Sequence, residues 1–176
     1  LTTVESCTEE FKHLRTSGFN FLMIEGYANG PFNVDYCRKI LTCARNAGFD
    51  RVCLLGGEHL ITKGIAETPE EQANIEKSKV VFKERAEKLL LLMKELGFTE
   101  YYLYGADEPH TPNDIERNRI IAEEAHKFGG KVMVAFIFED NMKTLKGIMD
   151  VPIMSWASMA SAESEVRDSL AANKSI

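Results

Sequence analysis

Tyr101-Tyr102-Leu103-Tyr104-Gly105-Ala106-Asp107-Glu108-Pro109 is the stretch on which the reading of this chain turns. Its aromatic, alternating first half reads as a buried strand, and that strand ends abruptly in two adjacent carboxylates and a proline. A helix signal follows at once, from Thr111-Pro112-Asn113-Asp114 into Ile115-Glu116-Arg117. Strand, acidic tip and helix in that order is how α/β enzymes present reactive groups at the carboxyl end of a sheet.

Working outward, the same phrase recurs. Helical patterning over Glu9–Arg15 stops at Gly18 and leads into a strand at Phe21–Glu25. Tyr36–Asn46 is helical, Gly48 stops it, and Arg51–Leu55 is the next strand. A long charged amphipathic segment, Glu70–Leu96, ends at Gly97-Phe98 before strand Tyr101–Tyr104. Asp114–Lys127 is helical up to Gly129-Gly130, followed by strand Lys131–Ile137. Asn141–Ile148, strand Val151–Trp156 and a last helix from Ala162 complete the series, with Glu58–Thr68 as the principal loop insertion.

Glycine closes a helix cheaply because it tolerates positive φ. Short strands apolar on both faces, such as Met133-Val134-Ala135-Phe136-Ile137, suit a parallel sheet covered by helices. Regular β/α alternation with right-handed crossovers then leaves two architectures, an open doubly wound sheet or a barrel. No Gly-x-Gly-x-x-Gly or Walker loop follows any strand. The expectation is therefore an α/β fold of parallel β/α repeats, a partial (β/α)8 TIM-barrel-like arrangement with about five strands. A closed barrel takes eight strands, so residues 1–176 read as a single β/α domain and a segment of a larger barrel.

Composition narrows the function classes. With 176 residues, 44% hydrophobic and 27% charged, the chain has ordinary globular character. A net charge of −6 without a basic run argues against nucleic acid as partner. No apolar run approaches the roughly 20 residues of a membrane span. Cys7, Cys37, Cys43 and Cys53 include no Cys-x-x-Cys pair and read as free thiols packed as small hydrophobes, with zinc or disulfide use as the alternative. The compartment is not legible.

In such folds the chemistry belongs to the carboxyl ends of the strands. Those ends carry Glu25 and Tyr27, then Glu58 and His59 after Gly56-Gly57, then Asp107, Glu108 and His110, then Glu139, and finally Trp156. Asp107 and Glu108 are the catalytic candidates; Glu25, Tyr27, Glu58, His59, His110 and Trp156 are the substrate-binding ones. Adjacent carboxylates resist ionising together, so one can carry a proton while the other stays charged. Pro109 is expected to hold Glu108 extended and to end the ladder. Acids that bind hydroxyls and rings that stack on sugar faces suggest a carbohydrate substrate, with no cofactor and no metal assigned. One alternative is a metal-dependent isomerase or hydrolase using Glu25, Glu58, His59, Asp107 and Glu139. The other is a non-catalytic binding or interaction module, whose exposed sheet edges an oligomer or the remaining barrel portion would cover. His13 and His126, on helices, are expected at the surface.

The run from Gly97 to Pro109, with Gly129-Gly130-Lys131-Val132-Met133 downstream, resembles the glycoside hydrolase barrels, and most of all the catalytic domain of glycoside hydrolase family 123. That resemblance implies a substrate-assisted glycosidase. Asp107 would orient the 2-acetamido group of a hexosamine, and Glu108 would protonate the leaving oxygen and then activate water. A second resemblance is to retaining barrels with Asn-Glu-Pro on the fourth strand; here Asp107 stands in place of the Asn. In that register the strands of this chain are the second to sixth, and the nucleophile-bearing seventh is missing.

Overall fold

A computed structural model describes residues 3–26 and 30–154. Among these residues five α-helices alternate with five strands. They are α1 (Val4–Thr16), β1 (Leu22–Glu25), α2 (Val34–Asn46), β2 (Arg51–Leu55), α3 (Pro69–Glu95), β3 (Glu100–Tyr104), α4 (Pro112–His126), β4 (Val132–Phe136), α5 (Glu139–Thr144) and β5 (Val151–Met154).

Local chemistry sets most of these boundaries. Thr3, Asn33, Thr68 and Thr111 each accept a backbone N–H of the first helical turn that would otherwise be orphaned. At α4 the cap is reciprocal, because the Asp114 carboxylate takes the Thr111 backbone N–H while the Thr111 hydroxyl takes that of Asp114. The helices expected from Glu70 and Asp114 begin slightly earlier, at Pro69 and Pro112. Proline's fixed φ suits the first helical position, where its missing N–H costs nothing. The helix expected over Asn141–Ile148 instead occupies Glu139–Thr144. Gly18, Gly48, Gly97 and Gly129, the predicted stops, all adopt positive φ, between 77° and 96°. The expected continuation of the fifth strand to Trp156 and the helix from Ala162 lie outside the described residues.

All strand pairings are parallel, and the order across the sheet is β1-β2-β3-β4-β5, the order in sequence. With right-handed crossovers, this order sends every helix to the same face. The packing agrees. Leu22, Ile24, Val52, Leu54, Leu103, Val132, Val134 and Phe136 pack with Leu41, Phe82, Leu89, Met93 and Ile121 of the helices. The opposite face is a smaller cluster drawn from strand residues and the residue leading into β1: Cys53, Tyr102, Tyr104 and Met133, flanked by Phe21, Leu55, Ala135, Val151 and Ile153. A doubly wound sheet would have helices on both faces. The chain is an α/β fold whose described residues form five parallel strands in one sheet with alternating helices, consistent with a partial TIM-barrel-like arrangement.

The cysteines are free, and Cys37, Cys43 and Cys53 are buried. Cys37 and Cys43 point apart as their spacing requires: one thiol reaches the Gly26 carbonyl and the other the Val4 carbonyl. His13 and His126 are exposed, with His126 Nε2 lying 2.9 Å from Asp150 Oδ2. No helix among the described residues is long and apolar enough to cross a membrane.

Candidate functional site

Neighbouring strands of a sheet lie about 4.8 Å apart, so the segments leaving β1, β2 and β3 form one continuous rim. Glu25 ends β1 on the side away from the helices, in register with Leu55. The next rim segment is a short 3₁₀ turn, Gly57–His59, pressed so closely on β3 that a Cβ on Gly57 would sit 3.0 Å from the Tyr104 carbonyl oxygen. Here Glu58 Oε2 accepts the Gly56 N–H at 3.1 Å, and Glu58 Oε1 lies 3.5 Å from His59 Nε2. Arg117 of α4 fixes the same turn from outside, donating to the carbonyls of Glu58 and Ile61 while its guanidinium meets Asp114 at 3.4 Å.

Past β3 the chain bends at Gly105, where a side chain would collide with Asn118 Oδ1 at 2.3 Å and with Val134. Asn118, fully buried on α4, accepts the Ala106 N–H at 2.8 Å and donates to the Ala106 carbonyl at 3.0 Å. This two-pronged clamp satisfies a backbone that has left the ladder. Beyond it, Asp107 turns back toward the strand face and accepts a 2.6 Å hydrogen bond from the Tyr104 hydroxyl. Burial, and then that bond to an anion, push the Tyr104 phenol well above the ordinary tyrosine range, so it stays a donor. Burial does the same to the Cys53 thiol on this face, and the Glu58 charge adds to it.

Glu108 departs from expectation. Its φ is +45°, so it is left-handed rather than extended. Tertiary bonds override the local preference set by Pro109: the Glu108 N–H reaches the Ala135 carbonyl of β4, and Asn141 donates to the Pro109 carbonyl at 2.6 Å. Both acids are exposed. His110 stands edge-on to Phe138, with ring centroids 5.6 Å apart.

The structure therefore brings Asp107 to Tyr104 and Glu58 to His59, and strings both pairs along one rim with Glu25. Tyr27 and Trp156 lie outside the described residues, as does the side chain of Glu139. Among the described residues no three His, Cys, Asp or Glu side chains converge as a metal ion would require, so the five-residue metal set is not assembled. A cleft of about 160 Å³, lined by Thr62, Lys63, Glu71, Asn74, Ile75 and Ser78, lies on the flank of α3 and includes none of the candidates. Tyr104, expected as core, is also the partner of Asp107. Asn118, Arg117 and Asn141 are additions. For Asn118 a signal exists in the sequence, since it interrupts the apolar stripe of Ile115, Ile121, Ala122 and Ala125.

No family model matches the chain. No curated protein matches it. Among solved structures it is similar to one described as the crystal structure of phosphonopyruvate hydrolase, at 14% identity and a TM-score of 0.49, over 96% of this chain and 55% of that one. No glycoside hydrolase model is matched, and the expected resemblance to glycoside hydrolase family 123 and to the retaining barrels is therefore withdrawn. The acetamido-orienting role implied for Asp107 goes with it. The physical reason is the shortness of the motif: an apolar strand ending in acids and a proline is what β/α geometry produces at many unrelated sites.

Proposed function

We propose that the end of β3 is an acid/base site of the hydrolase or lyase class, with Glu108 as the proton-transferring group and Asp107 as a fixed anion. The observation that carries this reading is the backbone of Glu108: a non-glycine residue held at φ +45° on an exposed strand tip. Such a conformation costs roughly 1–3 kcal/mol and persists where its surroundings over-determine it, most often at functional sites. As the acid, Glu108 gives its proton to a leaving oxygen while the bond to that oxygen breaks. As carboxylate, it then takes a proton from the attacking water. Asp107, oriented by Tyr104, receives substrate hydroxyls or balances developing positive charge.

The charges around the site favour a neutral, hydroxyl-bearing substrate. Arg117 is committed to Asp114 and two carbonyls, and Lys63 to Glu71. A phosphorylated or carboxylated molecule would meet Glu25, Glu58, Asp107 and Glu108 instead.

The test is turnover by purified protein on nitrophenyl esters, nitrophenyl phosphates and nitrophenyl ethers of neutral polyols, with Glu108→Gln and Asp107→Asn beside the wild type. Loss of a positioned acid/base should lower the rate by roughly 10²–10⁴-fold. Wild-type turnover in Glu108→Gln would remove Glu108 from the mechanism. No turnover by the wild type on any of the probes would favour a binding module over an enzyme.

A further inference from the structure

We propose that Cys7 and Cys43 form a redox-sensitive site, joining under a disulfide oxidant into an intramolecular bridge that fastens α1 to α2. This inference is independent of the chemistry assigned to the rim, from which both thiols are separate.

α1 packs chiefly on α2. Cys43, buried on α2, places its sulfur 3.5 Å from the Val4 carbonyl in the first turn of α1. Cys7 follows Val4 by three residues, about one helical turn, on the same side of α1. The Cys43 thiol is close enough to act on that of Cys7, holding it in the neutral form. Both are reduced, and Cys7 is partly open to solvent where Cys43 is not. The remaining thiols have no such mate: Cys37 faces the Gly26 carbonyl, and Cys53 lies in the cluster on the far side of the sheet.

With oxidised glutathione as oxidant the steps balance. The Cys7 thiolate attacks one sulfur of the reagent, forming a mixed disulfide and expelling one glutathione thiolate. The Cys43 thiolate then attacks the Cys7 sulfur, closing the protein disulfide and expelling the second. Two cysteine thiols are oxidised, two glutathione thiols are made, and the two protons pass between them. The geometry also limits the rate. Burial, then the neighbouring Cys43 thiol, push the Cys7 thiol up to about 12, so little thiolate exists at neutral pH. Formation of the bridge should accelerate about tenfold per pH unit on the alkaline side.

The experiment incubates the folded chain with oxidised glutathione at stepped pH, followed by intact mass and peptide mapping. The expected product is a monomer lighter by two hydrogens, with a Cys7–Cys43 linked peptide and an unfolding midpoint raised by several degrees, both reversed by dithiothreitol. Cys43→Ala should stop at the glutathione adduct on Cys7, and Cys7→Ser should give neither product. Cys7 is the partly exposed member, so Cys7→Ser remains informative even where Cys43→Ala folds poorly. A map with Cys37 or Cys53 in the link would overturn the proposal. So would a wild-type chain that halts at the mixed adduct, or a Cys7–Cys43 link that forms no faster in the folded chain than in urea.

Discussion

The Tyr104 hydroxyl donates to Asp107 Oδ1 at 2.6 Å, which ties the last residue of the central strand to the first acid beyond it. Burial and the Asp107 anion both favour the neutral phenol. In an ultraviolet alkaline titration, Tyr104 should therefore ionise well after an ordinary tyrosine. Asp107→Asn removes the anion but not the burial, so it should bring that step partway down. An unchanged titration would mean the pair is not formed in solution. Tyr104→Phe should cost about 1 kcal/mol of stability and lower any activity further than that loss explains, because Asp107 is left unheld.

Stability should fall steeply in alkali. Burial, first among the causes, pushes the Cys37 thiol up to about 11, the Cys7 thiol to about 12 and the Tyr102 phenol to about 12, while Cys53 and Tyr104 rise further still. The unfolded chain releases these protons near ordinary thiol and phenol values, whereas the native chain keeps them. Above about pH 9 the unfolded state thus binds fewer protons, and the unfolding free energy declines with each further unit. The measurement is the urea midpoint against pH. A flat profile up to about pH 10.5 would show that these groups are open to solvent.

Asn118→Ala should cost about 1–3 kcal/mol, since it strands the buried Ala106 N–H and carbonyl together. Asn118→Asp keeps an acceptor for the N–H and, once protonated in mild acid, can offer the carbonyl an O–H, so there it should fall between alanine and wild type, and it should lose ground as pH rises and the buried carboxyl ionises. Denaturant unfolding reads this order. Wild-type stability in Asn118→Ala would indicate that water replaces the clamp.

Gly105→Ala tests the same clamp from the other side. The added methyl would come within 2.3 Å of Asn118 Oδ1 and 2.5 Å of Val134 Cγ2, contacts that only a shift of α4 or β4 relieves. Overpacking of this kind costs about 1–3 kcal/mol. Because both variants disturb one contact, the Gly105→Ala/Asn118→Ala pair should lose less than the sum of its parts. Strict additivity in thermal melts would separate the two sites.

What the sequence discloses divides along a physical line. Helix stops at Gly18, Gly48, Gly97 and Gly129, caps at Thr68 and Thr111, and apolar strands are local choices, written in the residues that make them. Strand ends followed from those, and with them the rim that carries Glu25, Glu58 and Asp107. Asn118 is different. A polar residue on a helix reads as solvated until the loop it faces is placed, even though its position in an apolar stripe marks it. The conformation of Glu108 is different again, because Ala135 and Asn141, which hold its loop, come from a strand and a helix far along the chain. The family resemblance failed for a related reason: the local phrase specifies a strand tip, and strand tips are common to many chemistries.

Glu108→Gly separates function from stability at the strained position. Glycine adopts φ +45° without the Cβ clash that glutamate suffers, which favours the folded state by about 1 kcal/mol. It also gains freedom when unfolded, which offsets roughly 0.5–1 kcal/mol. The side chain is exposed and makes none of the bonds that fix the loop, since those run through the Glu108 N–H and the Pro109 carbonyl. The expected outcome is a variant as stable as wild type or slightly more so, with the proposed acid/base activity gone. Glu108→Ala has the same lost carboxylate but keeps the clash, so it should match glycine in activity and trail it in denaturant midpoint. If Glu108→Gly instead unfolds more easily than Glu108→Ala, the side chain is packing rather than waiting for a substrate, and the strain belongs to the fold alone.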